Sequence, residues 1–297
     1  MEAFNEMIKK IGKELGIKVT ISQDNWLKIL EKDNKTRYIT GYQFDLNYHA
    51  IGNIMDDKGL FYELLRYKKI PVISQYIIFK DYDKEQVLKY FYEHNQEIIV
   101  KGNISNAGKE VFKVSREQEL FRVIDKLFLK QFSISLCPYY HIINEYRIIV
   151  LDNVIRTIFG KEKPKVVGDG KKTIKELAIK EYDYYILHED EITNASYIPK
   201  KDEVVELSFK FNLSAGAKSF SNINEDLKTK LEDLAFLVTN NLNISFASVD
   251  IIHTEKDELL VLEANSGVTM NKYILQNKDG YEIAYNIYRD AIKLMFK

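Results

Sequence analysis

What most restricts the fold of this chain is the order of its apolar runs. Strand-like segments follow one another across short polar turns, and helix-like segments fall between them without the regular strand–helix alternation of a doubly wound sheet. Residues 247–252 and 258–263 flank the polar turn 253–257. Residues 146–151 and 154–159 form a second such pair, and the alternating stretches 18–30 and 36–40 around the turn-prone segment 31–35 read as a hairpin. Further strands are expected at 72–79, 97–101, 111–114, 132–136 and 204–209. This order describes an α+β protein built mainly on antiparallel sheets.

The helices are read from apolar positions recurring every three or four residues. The first, 2–16, sets Phe4, Met7, Ile8, Ile11 and Leu15 on one face. That face could lie on a membrane surface, but packing on a core is the plainer reading. Others are expected at 57–67, 83–93, 225–242 and from about 281 onward. Ser115-Arg116-Glu117-Gln118 and Thr173-Ile174-Lys175-Glu176 have the spacing of a capping box, in which a hydroxyl caps the helix and the fourth side chain reaches back.

Composition excludes several classes. With 297 residues, 45% hydrophobic and 29% charged, the chain can bury a sizeable core. Lys+Arg 43 against Asp+Glu 44 leaves a formal charge of -1, so no field of unbalanced positive charge awaits nucleic acid. The single cysteine, Cys137, permits no intrachain disulfide and no cysteine-built metal site, which suits a reducing, cytoplasmic setting. No segment approaches the roughly 18 uninterrupted apolar residues of a membrane span, and the N-terminus lacks the charged-then-apolar order of a signal peptide. A soluble, untargeted protein is expected.

Two local patterns carry chemistry. Glu263 and Asn265 share a strand face, and antiparallel pairing of 247–252 with 258–263 brings Asp250 beside them. Two carboxylates and an amide oxygen are hard ligands suited to Mg²⁺, although a solvated strand end is the simpler alternative. Lys101 ends a strand before a small, polar loop, an arrangement that can surround phosphate oxygens with an ammonium and backbone N–H groups. It is not a P-loop, because Glu110 stands where Ser or Thr is required. The histidines lack metal-ligand spacing, Ser214 lies outside a G-x-S-x-G elbow, and Cys137 reads as buried and inert.

The order of five segments resembles the ATP-grasp superfamily of carboxylate-amine ligases, in particular the ATP-grasp modules of cyanophycin synthetase and bifunctional glutathione synthetase. Asn53-Ile54-Met55-Asp56-Asp57-Lys58 with Ile70-Pro71-Val72 looks like the "DK … G-(I/V)-P-V" entry; Ile99-Val100-Lys101 with Gly108 to Val111 looks like "V-V-K-P … G-x-G-V". Glu145-Tyr146-Arg147 followed by Val166-Val167-Gly168-Asp169-Gly170-Lys171-Lys172-Thr173-Ile174 is similar to "Y-R-x-L-V … V-V-G-D-G-x-x-T-I". Asn212-Leu213-Ser214-Ala215-Gly216 resembles "N-L-S-T-G-G", and Val249-Asp250-Ile251 with Leu262-Glu263-Ala264-Asn265 resembles "G-V-D … E-x-N".

The resemblance implies the ATP-grasp fold, two α+β subdomains clamping a nucleotide: a short N-terminal segment at 1–67, a lid subdomain at 68–135, and a central and C-terminal subdomain with the metal site at 136–297. It implies an ADP-forming ligase that activates an amino acid or peptide carboxylate as an acyl phosphate and joins it to an amine. Lys58, Lys101, Gly108, Leu136, Cys137 and Tyr139 would bind the nucleotide. Arg147 and Lys161 would be catalytic, Asp250, Glu263 and Asn265 would hold two Mg²⁺ ions, and Asn212, Ser214 and Gly267 would contact substrate. Departures from the pattern are Gly102 for the proline after the strand lysine, Cys137 or Pro138 for the hinge acid, and Ser266-Gly267 for Pro-Gly. A phosphotransferase on the same scaffold and a non-catalytic nucleotide sensor are the alternatives. No nucleic-acid or membrane partner is expected, and a homo-oligomer is compatible with the sequence.

Overall fold

The computed structural model describes every residue except 106–109, 189–191 and 193. Helix α1 (Glu2–Leu15) buries Phe4, Met7, Ile8 and Ile11, and Gly16 ends it in the left-handed conformation at φ 65. Strands β1 (Lys18–Ile21), β2 (Leu27–Lys32), β3 (Lys35–Thr40) and β4 (Gln43–Phe44) then form a four-stranded antiparallel sheet in sequence order. The expected hairpin thus gains strands, because the run 18–30 is broken by a turn. Asp24 accepts the Trp26 N–H at 3.0 Å, and Asn25 adopts φ 62.

Helices α2 (His49–Asp56) and α3 (Lys58–Tyr67) follow, the latter capped by Asp57, which accepts the Leu60 N–H. Strand β5 (Tyr76–Ile78), α4 (Lys84–Glu93), β6 (Ile98–Gly102), β7 (Val111–Val114), α5 (Glu117–Phe128) and β8 (Ile134–Pro138) build the lid unit, an antiparallel sheet in the order β5-β8-β6-β7. The strand expected from 72 begins only at Tyr76, since the preceding residues serve the central sheet: Val261 N–H donates to Pro71 O and Ile73 N–H to Val261 O. Arg116, not Ser115, is the cap of α5 and makes no side-chain cap bond. The helix starts one residue later than expected, which leaves the Ser115 hydroxyl too early in the chain to reach its free N–H groups.

Strands β9 (Ile142–Leu151) and β10 (Val154–Glu162) open the central sheet. An excursion follows: β11 (Lys165–Val167), α6 (Ile174–Glu181), α7 (Asp183–Leu187) and β12 (Val204–Glu206). Thr173 and Glu176 make the full expected capping box on α6. A 3-10 turn at Leu213–Ala215 leads to β13 (Lys218–Phe220), α8 (Glu225–Leu242), β14 (Phe246–Thr254), β15 (Leu259–Asn265), α9 (Asn271–Gln276) and α10 (Gly280–Met295). The central sheet runs β13-β10-β9-β14-β15, antiparallel throughout.

Its middle strands are apolar on both faces because helices cover both. On β9, Ile149 and Leu151 face α1 and α10, meeting Phe4, Ile8, Ile287 and Tyr288. Tyr146, Ile148 and Val150 face α8, through Leu231, Leu234 and Val238, and the pair α2 and α3, through Met55, Phe61 and Leu65. The lid has its own core, where Ile98, Val100, Ile134 and Leu136 meet Val87, Phe91, Leu120 and Ile124. Each such side chain contributes roughly 1.5–3 kcal/mol through burial. No helix among the described residues is long and apolar enough to cross a membrane.

One buried hydroxyl ties this scaffold to the end of β15. Tyr288 on α10 donates to Val268 O at 2.9 Å and accepts the Met270 N–H at 3.1 Å. Tyr288→Phe leaves both backbone groups buried and unpaired, so it should cost about 1–3 kcal/mol in urea unfolding.

Candidate active site

Antiparallel register sets three charged residues in one row: Asp250 on β14 lies opposite Arg147 on β9 and opposite Glu263 on β15. Arg147 grips Asp250 in a fork, Nε to Oδ1 at 2.7 Å and Nη2 to Oδ2 at 2.6 Å. Lys161, on β10, donates to Asp250 Oδ2 at 3.1 Å and to Glu145 Oε1. Asp250 is 1% and Lys161 3% exposed, so these charges are tolerable only as a mutually paired set. Burial works against the Asp250 carboxylate, but Arg147 and then Lys161 outweigh it and hold its pKa below the usual range. For Glu145 burial dominates and raises the pKa, with Lys161 opposing. Arg147 also pays for burial, yet Asp250 keeps it firmly protonated.

Two cavities meet at this row. The first lies between lid and central sheet and gathers Lys58, Lys101, Cys137 and Tyr139, together with Asp250 and Glu263. Lys58, at the start of α3, donates to Ser105 O at 2.7 Å and Asn103 O at 3.2 Å. Burial, and next the charge of Lys101, push its pKa down to about 8. Cys137 is buried and its thiol is pushed up to about 11 by burial, which leaves a wall residue rather than a nucleophile. The Leu136 side chain turns into the lid core instead of the cavity, as strand alternation requires. Gly108 lies outside the described residues.

The second cavity gathers Arg147, Lys161, Asn212, Ser214, Glu263, Asn265 and Gly267. Glu263 and Asn212 line both cavities, so the two share a wall there. The motif reading quoted Glu145 and Asp56 without giving either a role, and passed over Phe209 in the first cavity and Trp26, Tyr42 and Gln43 in the second. Glu145 was legible, because it precedes Arg147 by two and so shares its strand face. Phe209, Trp26 and Tyr42 come from turns and loops, and Gln43 and Asp56 from the ends of short elements, where no periodic signal marks the approach.

Among the described residues, no three His, Cys, Asp or Glu side chains are gathered as a metal cage. A cation bound jointly by protein and phosphate needs less, and Mg²⁺ commonly takes one or two protein carboxylates plus phosphates and water. Asn265 Nδ2 donates to Glu263 Oε1 at 3.1 Å, which leaves the amide oxygen and the second carboxylate oxygen as hard donors at the junction. These fit Mg²⁺. Asp250 differs, since both its oxygens already serve Arg147 and Lys161.

This arrangement of two α+β units around a cleft is the ATP-grasp fold. No family model matches the chain. It is 22% identical to the glutathione biosynthesis bifunctional protein of Enterococcus faecalis, across 89% of this chain and 38% of that protein. Among solved structures it is similar to a bifunctional glutathione synthetase from Pasteurella multocida, at a TM-score of 0.57 and 18% identity over 98% of this chain and 43% of that one. It is also similar to the D-alanine–D-alanine ligase of Bacillus anthracis, at a TM-score of 0.58 and 15% identity over 86% and 69% of the two chains. The chain therefore spans less than half the length of the bifunctional proteins it matches.

Removing Asp250 takes away Arg147's partner and leaves Lys161 with Glu145 alone. Asp250→Ala should cost roughly 3–5 kcal/mol, read as a lowered midpoint in urea unfolding.

Proposed function

We propose that this chain is an ADP-forming ligase acting on an amino acid or peptide carboxylate and an amine. The observation that carries this reading is the junction itself. A cavity bearing Lys58 and Lys101 shares Glu263 and Asn212 as a common wall with a second cavity bearing Arg147 and Lys161. Phosphoryl transfer between two bound molecules needs positioned cations more than a protein nucleophile.

ATP occupies the first cavity, its phosphates toward Lys58 and Lys101 and its base toward Cys137 and Tyr139. The carboxylate donor occupies the second. A carboxylate oxygen attacks the γ-phosphorus, the bond to the bridging oxygen breaks, and ADP leaves with that electron pair. The amine then attacks the acyl carbon, loses a proton, and expels phosphate to leave the amide. Arg147 stands beside the position of the acyl phosphate and spreads the charge of both steps. Lys161, held by Glu145 and Asp250, adds a second positive charge to that wall. Asn212, Ser214 and Gly267 contact the substrate. Glu263 and Asn265 would hold Mg²⁺, which supplies charge neutralisation of the phosphate oxygens. Asp250 Oδ1 accepts only from Arg147 and keeps a lone pair with which it could join them.

The first test is ADP and phosphate release with ATP and Mg²⁺ against pooled amino acids and dipeptides, with mass spectrometry for products lighter by one water than their parents combined. A new amide with one ADP per bond supports the ligase. A stable phosphorylated product identifies a phosphotransferase, and Mg²⁺-dependent ATP binding without turnover on any member of the pool argues for a nucleotide sensor. Glu263→Ala should reduce turnover at least 100-fold with the fold intact by circular dichroism. Full activity in that variant refutes the metal assignment.

Lys58 gives ATP binding a pH dependence. Its pKa is lowered to about 8, and bound triphosphate favours the protonated form. Affinity should therefore hold below that pH and weaken as pH rises through it, approaching about tenfold per pH unit. Calorimetric titration from pH 7 to 9 checks this, and Lys58→Met should bind weakly with no such slope.

A further inference from the structure

Asn103 joins the lid to the start of α3. It directly follows β6, is 3% exposed, and engages its backbone and side-chain polar groups inside the protein. Toward the lid, its N–H donates to Ser133 O at 3.1 Å and its Nδ2 donates to the Ser133 hydroxyl at 3.1 Å. Toward α3, its Oδ1 accepts the Gly59 N–H at 3.0 Å. Its carbonyl accepts the Lys58 N–H at 3.4 Å and the Lys58 ammonium at 3.2 Å. A backbone N–H only donates, so the Gly59 contact fixes which way the amide points.

This contact changes how α3 begins. The first turn of a helix leaves N–H groups without an acceptor inside the helix. The Asp57 side chain takes that of Leu60, while Asn103, 44 residues beyond Gly59, takes those of Lys58 and Gly59. The same turn is pressed against the lid sheet, since a Cβ on Gly59 would stand 2.6 Å from Ile77 of β5. Further along the helix, Phe61 and Leu65 lie in the core of the central sheet. Helix α3 therefore belongs to both units, and its lid end carries Lys58.

Asn103 also stands two residues after Lys101, which is buried, lines the first cavity, and has no hydrogen-bond or ion-pair partner among the described residues. An amide offers an acceptor and a donor at once, where a carboxylate lacks the donor and an apolar side chain lacks both. We propose that Asn103 is a positioning residue, which sets the spacing of the Lys58 and Lys101 ammonium groups by clamping the first turn of α3 to the lid. Its effect on nucleotide rests on the reading of the first cavity as an ATP site; the clamp itself does not.

The first measurement is the affinity for ATP with Mg²⁺, by calorimetry, in Asn103→Ala, Lys58→Met and the double variant. Asn103→Ala should weaken binding about tenfold or more, because it displaces a charged group by about 1 Å. The two losses should not add in the double variant, since Asn103 acts through Lys58. Additive losses, or undiminished affinity in a folded Asn103→Ala protein, overturn the proposal. If circular dichroism shows that Asn103→Ala does not fold, Ser133→Ala takes its place, because it frees only the amide nitrogen. The same non-additive loss is expected there, and its absence is equally decisive against the clamp. The second measurement is the crystal structure of the folded variant without nucleotide. The distance between the Lys58 and Lys101 Nζ atoms should differ from that in the unaltered chain by about 1 Å or more, and an unchanged distance refutes the clamp. A changed distance in a protein whose unaltered form binds no ATP leaves the clamp standing and counts against the ATP reading.

Discussion

The structure turns on the pairing of buried charge at the middle of the central sheet. Arg147, Asp250, Lys161 and Glu145 sit on adjacent strands β9, β14 and β10, all but the partly exposed Arg147 nearly sealed from water. Each would be costly alone, and each is bound by another. Because the partners lie on different strands, the network holds only in one register, and a slip of one residue would turn every member to the opposite face. The requirement that satisfies these charges is therefore the one that delivers Glu263 and Asn265 to the cavity junction.

The remaining parts are arranged around that row. The lid contributes cations from the ends of elements: Lys101 at the end of β6, with Lys58 at the start of α3 reaching it across Asn103 and Ser105. Burial, and after it the repulsion of the Lys101 ammonium, make Lys58 lose its proton more readily than a free lysine. An anion between them relieves that repulsion. The N-terminal sheet, by contrast, brings aromatic and amide side chains to the second cavity and is stapled to the residues after β15 through Gln43 and Tyr42. The walls of the two cavities thus come from separate structural units that meet on one strand.

Much of this was legible in the chain. The pairing of β14 with β15 follows from two apolar runs around a polar turn, and Glu263 with Asn265 on one face follows from strand alternation. The Thr173 capping box appears as read, since it depends only on residues three apart. Ser115 shows the limit of the same argument, because the helix start was displaced by one residue and the hydroxyl lost its partner. The break at Asn25 and the use of residues 71–73 to bridge to Val261 were hidden for a different reason. They depend on what the segment meets in space, not on its own period.

The sequence by itself determined the kind of sheet, the faces of the long helices and the identity of the charged residues around the junction, because these depend on short-range periodicity and on motif order. Only the tertiary structure decided what those charges do to one another. That both Asp250 oxygens accept from Arg147 or Lys161, that the Leu136 side chain turns into the lid core, and that Asp56, Trp26 and Tyr42 line one cavity all arise from contacts between segments far apart in the chain. Hydrogen bonding and burial are properties of neighbours in space, and a linear order of residues does not name those neighbours.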